Sequence, residues 1–288
     1  MIRSIAPSLS LLIVLLCFSP TATLAQNNGP RAEDLVSHEI VSETNALTPG
    51  ATHWISIRQT IAPKWHTYWE NAGDAGGPTQ VNWIANHPIS ISDIHWPTPD
   101  VIPFQGLNSH AYEDEAFLLF KVAVPEDFEG ASLKLTANIS YLVCADICIP
   151  GTGQATTSLP VMQGSDGGLS KEAADFARAK ALLPGPGAYD VSLSGSTLLV
   201  ERPVFERERV KSLRFLPLET GVLNHNVEQP VTWSGSTARI SLTPKKTNAD
   251  KSPGVDPNLA GLLLVEERVA AGSDDSFTQA YTVALGNR

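Results

Sequence analysis

Residues 133–143 alternate without a break: Leu133, Leu135, Ala137, Ile139, Tyr141 and Val143 are apolar or aromatic, and Lys134, Thr136, Asn138 and Ser140 between them are polar. A period of two puts one set on a buried face and the other toward solvent, which predicts a half-buried strand. One step further, the same alternation places Cys144 on the polar face. Shorter runs at 53–61 and 81–84 read the same way. The segment 116–124 is different, because Phe117, Leu118, Leu119, Phe120, Val122 and Val124 leave neither face polar. That suits an interior strand covered on both sides, and Pro125 ends it. A Thr-rich strand is predicted again at 154–161, so Cys144 and Cys148 fall in the connection of a hairpin-like pair.

Only one stretch has convincing helical spacing. Ala173, Phe176, Ala177 and Ala181 recur on one side, Ser170 is placed to cap, and Glu172 suits the positive first turn. Leu183 then precedes Pro184-Gly185-Pro186-Gly187, which stops the helix. Further strand-like segments follow at 189–193, 197–201, 238–242, 262–265 and 280–285, and the polar stretch 245–257 reads as a long loop. Many short strands between turn signals predict an all-β protein built from sandwiches rather than an α/β sheet. The expected organisation is a first sandwich over 33–163, a helix and linker over 164–187, and a second, smaller β-rich domain over 188–288.

The amino end changes the picture of where this chain works. Arg3, an apolar run over 9–18, Pro20 and small residues up to Ala25 form the pattern of a secretory signal peptide cleaved after Ala25. The run is too short to span a bilayer, and no later segment is apolar for long enough, so the protein is expected to be periplasmic and not membrane-spanning. Cys17 lies inside the leader behind Leu15 and Leu16, without the small residues of a lipoprotein site, and is expected to be discarded. With 30 acidic against 20 basic residues the formal net charge is −10, which argues against nucleic acid or anionic lipid as a partner.

Of the three cysteines, that leaves Cys144 and Cys148 in a compartment where disulfides persist. Two thiols separated by three residues admit a structural disulfide, a redox-active pair, or two ligands of a soft metal. A cross-link closing so short a loop contributes only about 2 kcal/mol in the chain-entropy model, and a chain of this length hardly needs it. Zinc would require four ligands, and no nearby His or Cys completes a set, so no metal site is assigned. Copper(I) accepts two thiolates with one further ligand, and a copper-tolerance role stays open. Asp146 is the only charged residue between the thiols, and no helix starts after them. Local sequence therefore predicts a pair without thiolate activation.

Several stretches together carry a resemblance: Ala62-Pro63-Lys64-Trp65-His66-Thr67-Tyr68-Trp69-Glu70-Asn71, Trp96-Pro97-Thr98-Pro99, Phe104-Gln105-Gly106, Tyr112-Glu113-Asp114, and residues 141–150. They resemble the amino-terminal periplasmic domain of the thiol:disulfide interchange protein DsbD and its ScsB-type relatives, over about residues 35–160. The resemblance implies an immunoglobulin-like sandwich and a redox-active Cys144–Cys148 disulfide that forms its mixed disulfide through Cys148. It also implies thioredoxin-like periplasmic partners and no cofactor. A cap loop at 103–106 would shield the pair, with Phe104 as the shielding ring beside Gly106, and His66 and Tyr68 would line the site. Phe104 as an ordinary loop aromatic, and His66 and Tyr68 as core residues with satisfied polar tips, are the alternatives. Trp65 and Trp69 read as core. The membrane module and terminal thioredoxin-like domain of the full-length family have no counterpart here, so a separate membrane electron donor is implied. On this reading the chain is a thiol:disulfide oxidoreductase-type carrier rather than a small-molecule enzyme; a pure interaction module with a structural disulfide is the remaining alternative.

Overall fold

The computed structural model describes residues 29–104, 106–164, 167–202, 206–245 and 255–285, of which Phe104 is described for its backbone alone. The expected leader with Cys17, and residues 246–254 of the expected loop, lie outside these ranges.

A short helix α1 (Ala32–Leu35) leads into β1 (Val36–Ser42), β2 (Thr52–Ile61), β3 (His66–Gly73), β4 (Gln80–Ala85), β5 (Ser90–Ile91), β6 (Asp100–Phe104), β7 (Leu107–Glu113), β8 (Glu115–Ala123), β9 (Ser132–Cys144) and β10 (Cys148–Pro160). These strands make two sheets, ordered β1-β2-β8-β5 and β10-β9-β3-β7-β6, with β4 also against β9. Ile55, Ile57, Leu118, Phe120 and Val122 of the first sheet meet the β9 series Leu133, Leu135, Ala137, Ile139, Tyr141 and Val143 of the second in one core. The protein is all-β, and this half is an immunoglobulin-like sandwich. Each large apolar side chain so buried stabilises the fold by roughly 1.5–3 kcal/mol.

The unbroken apolar character of β8 has two destinations. Leu118, Phe120 and Val122 enter the sandwich, whereas Phe117 and Leu119 face outward beneath helix α2 (Ala173–Ala181) and pack with Phe176. The helix buries Phe176 and Ala179, three residues apart on one line, while Ala177 and Ala181 are exposed. The expected apolar face was therefore too wide, since a strand offers a helix only a narrow strip. Ser170 Oγ accepts the Glu172 N–H at 3.2 Å and donates to Ser42 O at 2.6 Å, tying the helix start to β1.

The remaining strands are β11 (Asp190–Ser194), β12 (Thr197–Glu201), β13 (Val210–Pro217), β14 (Val231–Ser234), β15 (Thr237–Ser241), β16 (Ala260–Arg268) and β17 (Ser276–Ala284). They form sheets β11-β12-β15-β14 and β13-β16-β17. Leu198, Val200, Ala238 and Ile240 of the first face Phe215, Leu263 and Val265 of the second. The intervening side chains of that second sheet, Leu216, Leu262, Leu264 and Ala280, point the other way and join the core of the amino-terminal half. From Arg31 onward the chain is consequently one compact unit. Asn71 Nδ2 donates to Pro217 O at 2.8 Å and Glu219 O at 3.0 Å, and Asn108 Nδ2 donates to His225 O at 2.7 Å, closing the seam with side-chain amides. Among the described residues no helix is long and apolar enough to cross a membrane.

Candidate functional site

The strand predicted at 133–143 runs on to Cys144, and its partner begins at Cys148 rather than after the Pro-Gly pair. The two cysteines face each other across the β9–β10 turn, Cys148 in register with Cys144 and Pro150 with Leu142. Pro150 is tolerated because β10 is an edge strand, where a missing N–H breaks no ladder. At Gly151 an added Cβ would lie 2.5 Å from Tyr141 Cζ, so only glycine lets that ring cross the strand. Cys144 and Cys148 are joined as a disulfide with Cα atoms 4.1 Å apart.

The two sulfurs sit in different surroundings. Cys144 is 1% exposed although strand alternation assigns it to the polar face. Strands β3 and β4 share the side of β9 opposite β10, and the cover comes from β3. β4 pairs along residues 135–140, whereas β3 touches only where His66 stands opposite Cys144. Cys144 packs there with Tyr68, Ala72 and Ala111, joined by half-buried Ile102 and Leu142. Cys148, across the turn, is exposed.

β3 is buried on both faces over its first four residues. Thr67 donates to Gln59 Oε1 at 3.0 Å and Trp69 enters the sandwich core, which directs His66 and Tyr68 to the opposite face. His66 Nε2 lies 3.1 Å from the Tyr68 hydroxyl, and that hydroxyl lies 3.7 Å from Cys148 Sγ. A bonded sulfur carries no proton, so the hydroxyl donates. Tyr68 can then accept from a neutral His66 protonated on Nε2, giving a continuous His66–Tyr68–Cys148 chain. Burial holds His66 below the usual imidazole range. It also pushes the Tyr68 phenol up to about 12, with a hydrogen bond from Ser109 pulling the other way. Both groups are thus neutral near pH 7, and the tyrosine keeps the proton it donates.

The sequence reading did not single out Gly76. It adopts φ +112°, and an added Cβ would fall 2.3 Å from Tyr68 Cε1, so the backbone of the β3–β4 loop lies directly on the ring. Gly77 follows against Leu142. The run Asp74-Ala75-Gly76-Gly77-Pro78 was the signal in the sequence, since adjacent glycines mark close backbone approach.

Of the expected site residues, the structure brings together Cys144, Cys148, His66 and Tyr68. The expected cap is the β6–β7 turn, where Phe104 pairs with Leu107. The Phe104 side chain and Gln105 lie outside the described residues. Gly106 is exposed at φ +78° with nothing within 4 Å of where a Cβ would stand. Trp69 is core, and Trp65 is half-buried against it. Among the described residues no group of three or more His, Cys, Asp or Glu side chains is placed to hold a metal ion.

Residues 32–160 match the family model of the N-terminal domain of the thiol:disulfide interchange protein DsbD. The N-terminal periplasmic domain of ScsB from Proteus mirabilis superposes with a TM-score of 0.60 at 16% identity, covering 87% of this chain and 92% of that one. At that identity the likeness concerns the fold, and it extends over both sandwiches. A titin I-band fragment (TM-score 0.21, 9% identity, 87% of this chain and 65% of that one) and Spo0M of Bacillus subtilis (0.23, 8%, 86% and 90%) are too distant in shape to carry an argument. No curated protein matches the chain in sequence.

Proposed function

Since residues 32–160 belong to the DsbD N-terminal domain family, we propose that the chain is a periplasmic thiol:disulfide carrier working through Cys144 and Cys148. The observation that carries this reading is the asymmetry of the bonded pair, one sulfur buried and the other exposed. A staple has no use for such a difference, whereas exchange requires one sulfur that an incoming thiolate can reach.

A partner thiolate attacks Cys148 Sγ along the S–S axis. The new partner–Cys148 bond forms as the Cys144–Cys148 bond breaks, and the electron pair leaves on Cys144, which takes up a proton. The partner's second thiolate then attacks its own bonded sulfur, leaves as the partner's disulfide, and releases Cys148 as a thiolate. The partner dithiol has lost two electrons and this chain has gained them; the same steps reversed pass them on. Thioredoxin-like periplasmic proteins fit the accepting side, and a separate membrane protein the donating side. The second sandwich then serves to hold β3 from behind through Asn71.

Trapping tests the proposal. In the exporting cell the Cys144→Ala variant is expected to accumulate mixed disulfides through Cys148, and the Cys148→Ala variant few or none. A reduction potential far below about −300 mV would mark a structural staple and defeat the carrier reading. So would the absence of any mixed disulfide in both variants.

A further inference from the structure

The outer edge of β13 is filled rung by rung with side-chain amides until one rung is left open. In an antiparallel pair, residues bonding the neighbouring strand alternate with residues whose N–H and C=O point away. Leu218 N donates to Ala260 O at 2.9 Å, so Leu216, Arg214 and Ser212 bond β16, while Pro217, Phe215 and Leu213 face outward. Pro217 O accepts from Asn71. Phe215 is met on both groups by one side chain: its N–H donates to Gln229 Oε1 at 2.8 Å, and Gln229 Nε2 donates to its C=O at 2.8 Å. Gln229 thereby occupies the place that a peptide unit of a further strand would take.

At Leu213 no described group plays that part. Its rung opens into a cavity of about 460 Å³ lined by residues 210–214 and by Glu228, Gln229, Val231 and Trp233. The opposite wall is β14, the edge of the neighbouring sheet. Its hairpin closes at Ser234 and Thr237, and Ser241 N donates to Pro230 O at 3.0 Å, so Val231 also turns its backbone groups into the cavity. Two sheet edges whose outward backbone groups have no partner among the described residues thus face one slot. Half-buried Arg214 stands at the slot with no ion pair or side-chain hydrogen bond among the described residues, Glu228 acting on it only at longer range. Arg207 lies over the Trp233 ring at 5.5 Å.

We propose that the slot between β13 and β14 is a docking site for a short, extended, acidic segment of a partner polypeptide, which adds as a strand beside Leu213 and sets a carboxylate against Arg214. Adding a strand to an open edge satisfies the free N–H and C=O groups, and side chains on alternate positions supply selectivity. A residue one step along the added strand from the Leu213 rung lies on the face of Arg214, where an acid completes a charge-assisted pair. Gln229 blocks growth toward Phe215, which limits the segment to a few residues. The site lies in the carboxyl-terminal sandwich, and the argument is independent of the redox reading.

The test uses the full chain and a synthetic blocked peptide, acetyl-Glu-Val-Thr-Val-Glu-amide, followed by amide NMR and hydrogen exchange. At saturation the Leu213 amide is expected to shift and to exchange about fivefold more slowly, the change one hydrogen bond of ordinary net strength gives, with Val231 shifting beside it. A peptide N-methylated at alternate residues and one with Lys for Glu are both expected to fail, and Arg214→Ala is expected to weaken the acidic peptide severalfold. Gln229→Ala, which opens the Phe215 rung, is expected to tighten it. No change at Leu213, or equal binding of the N-methylated peptide, overturns the proposal. So does protection of Leu213 by self-association of the chain in the absence of peptide, which would make a second copy the occupant.

Discussion

Replacing Tyr68 by Phe removes the hydroxyl that β3 brings to Cys148 while leaving the ring on which Gly76 packs. A donor favours the charged form of a thiol, so its loss is expected to raise the Cys148 pKa. At 3.7 Å to sulfur the bond is long, and about 1 kcal/mol is a fair allowance, the ordinary net value for a hydrogen bond rather than the larger one for charged groups. At 1.36 kcal/mol per unit, the shift is roughly 0.7 units, and the thiolate fraction near pH 7 falls about fivefold. Each remaining thiolate is more nucleophilic, with a Brønsted slope of about 0.4–0.5, so exchange slows only about two- to threefold. The assay is iodoacetamide alkylation of the Cys144→Ala variant across pH 6–10, with and without Tyr68→Phe. Thermal unfolding of both proteins runs alongside, because buried His66 loses its partner. An unchanged or lowered Cys148 pKa in the Phe variant would refute the role given to the hydroxyl, whatever happens to stability.

Three further outcomes follow from the geometry. Cys148 alone, in Cys144→Ala, is expected to react with a bulky aromatic disulfide at least about tenfold faster than Cys144 alone in Cys148→Ala, since only the former is exposed; equal rates would contradict the assignment of the attacked sulfur. Gly76→Ala drives a Cβ to 2.3 Å from Tyr68 Cε1 at φ +112°, and overpacking plus backbone strain should cost about 2–4 kcal/mol in urea unfolding; a loss below about 1 kcal/mol would mean the ring moves freely. His110, 1% exposed and T-stacked on His225 at 4.7 Å, is held down to about 4, chiefly by burial and then by its His225 neighbour. With the folded value depressed from 6.5, the unfolded chain binds the extra proton, so the stabilisation is complete above about pH 6.5 and drains away as pH falls toward 4. Between pH 7 and 4.5 His110 by itself should account for a loss of roughly 2.5 kcal/mol, and His110→Phe should remove that share of the slope while leaving the share owed to His38, which burial also holds down to about 4.

Most of the strands were legible because one chemical variable decides them. The alternation at 133–143 needs nothing beyond itself, and β12 covers the expected 197–201, one polar residue beyond its apolar run at each end. No strand was expected at β1, β3, β5, β6 or β7, nor at β13 and β14, where the reasons are complementary. The apolar residues of β13 crowd its carboxyl end, and β14 is too short for a period to show. The helix was recognisable by spacing and stop signal, but its buried line of Phe176 and Ala179 was set by the strand beneath it. At the site the cysteine spacing and the His66–Tyr68 stretch were visible. The burial of Cys144 was not, because strand alternation assigns it to the polar face and the cover arrives from β3, some eighty residues earlier in the chain.

The sequence by itself determined the all-β class, the hairpin that holds the cysteines and the absence of any charged activator beside them, since these depend on neighbours along the chain. Tertiary structure decided the rest. It buried one sulfur and exposed the other, carried a neutral hydroxyl from residue 68 to residue 148, and turned the apolar run 262–265 into a sheet with two cores. The physical reason is that burial and hydrogen-bond partnership belong to the space around a residue, and strand order, which local patterns do not encode, decides what fills it.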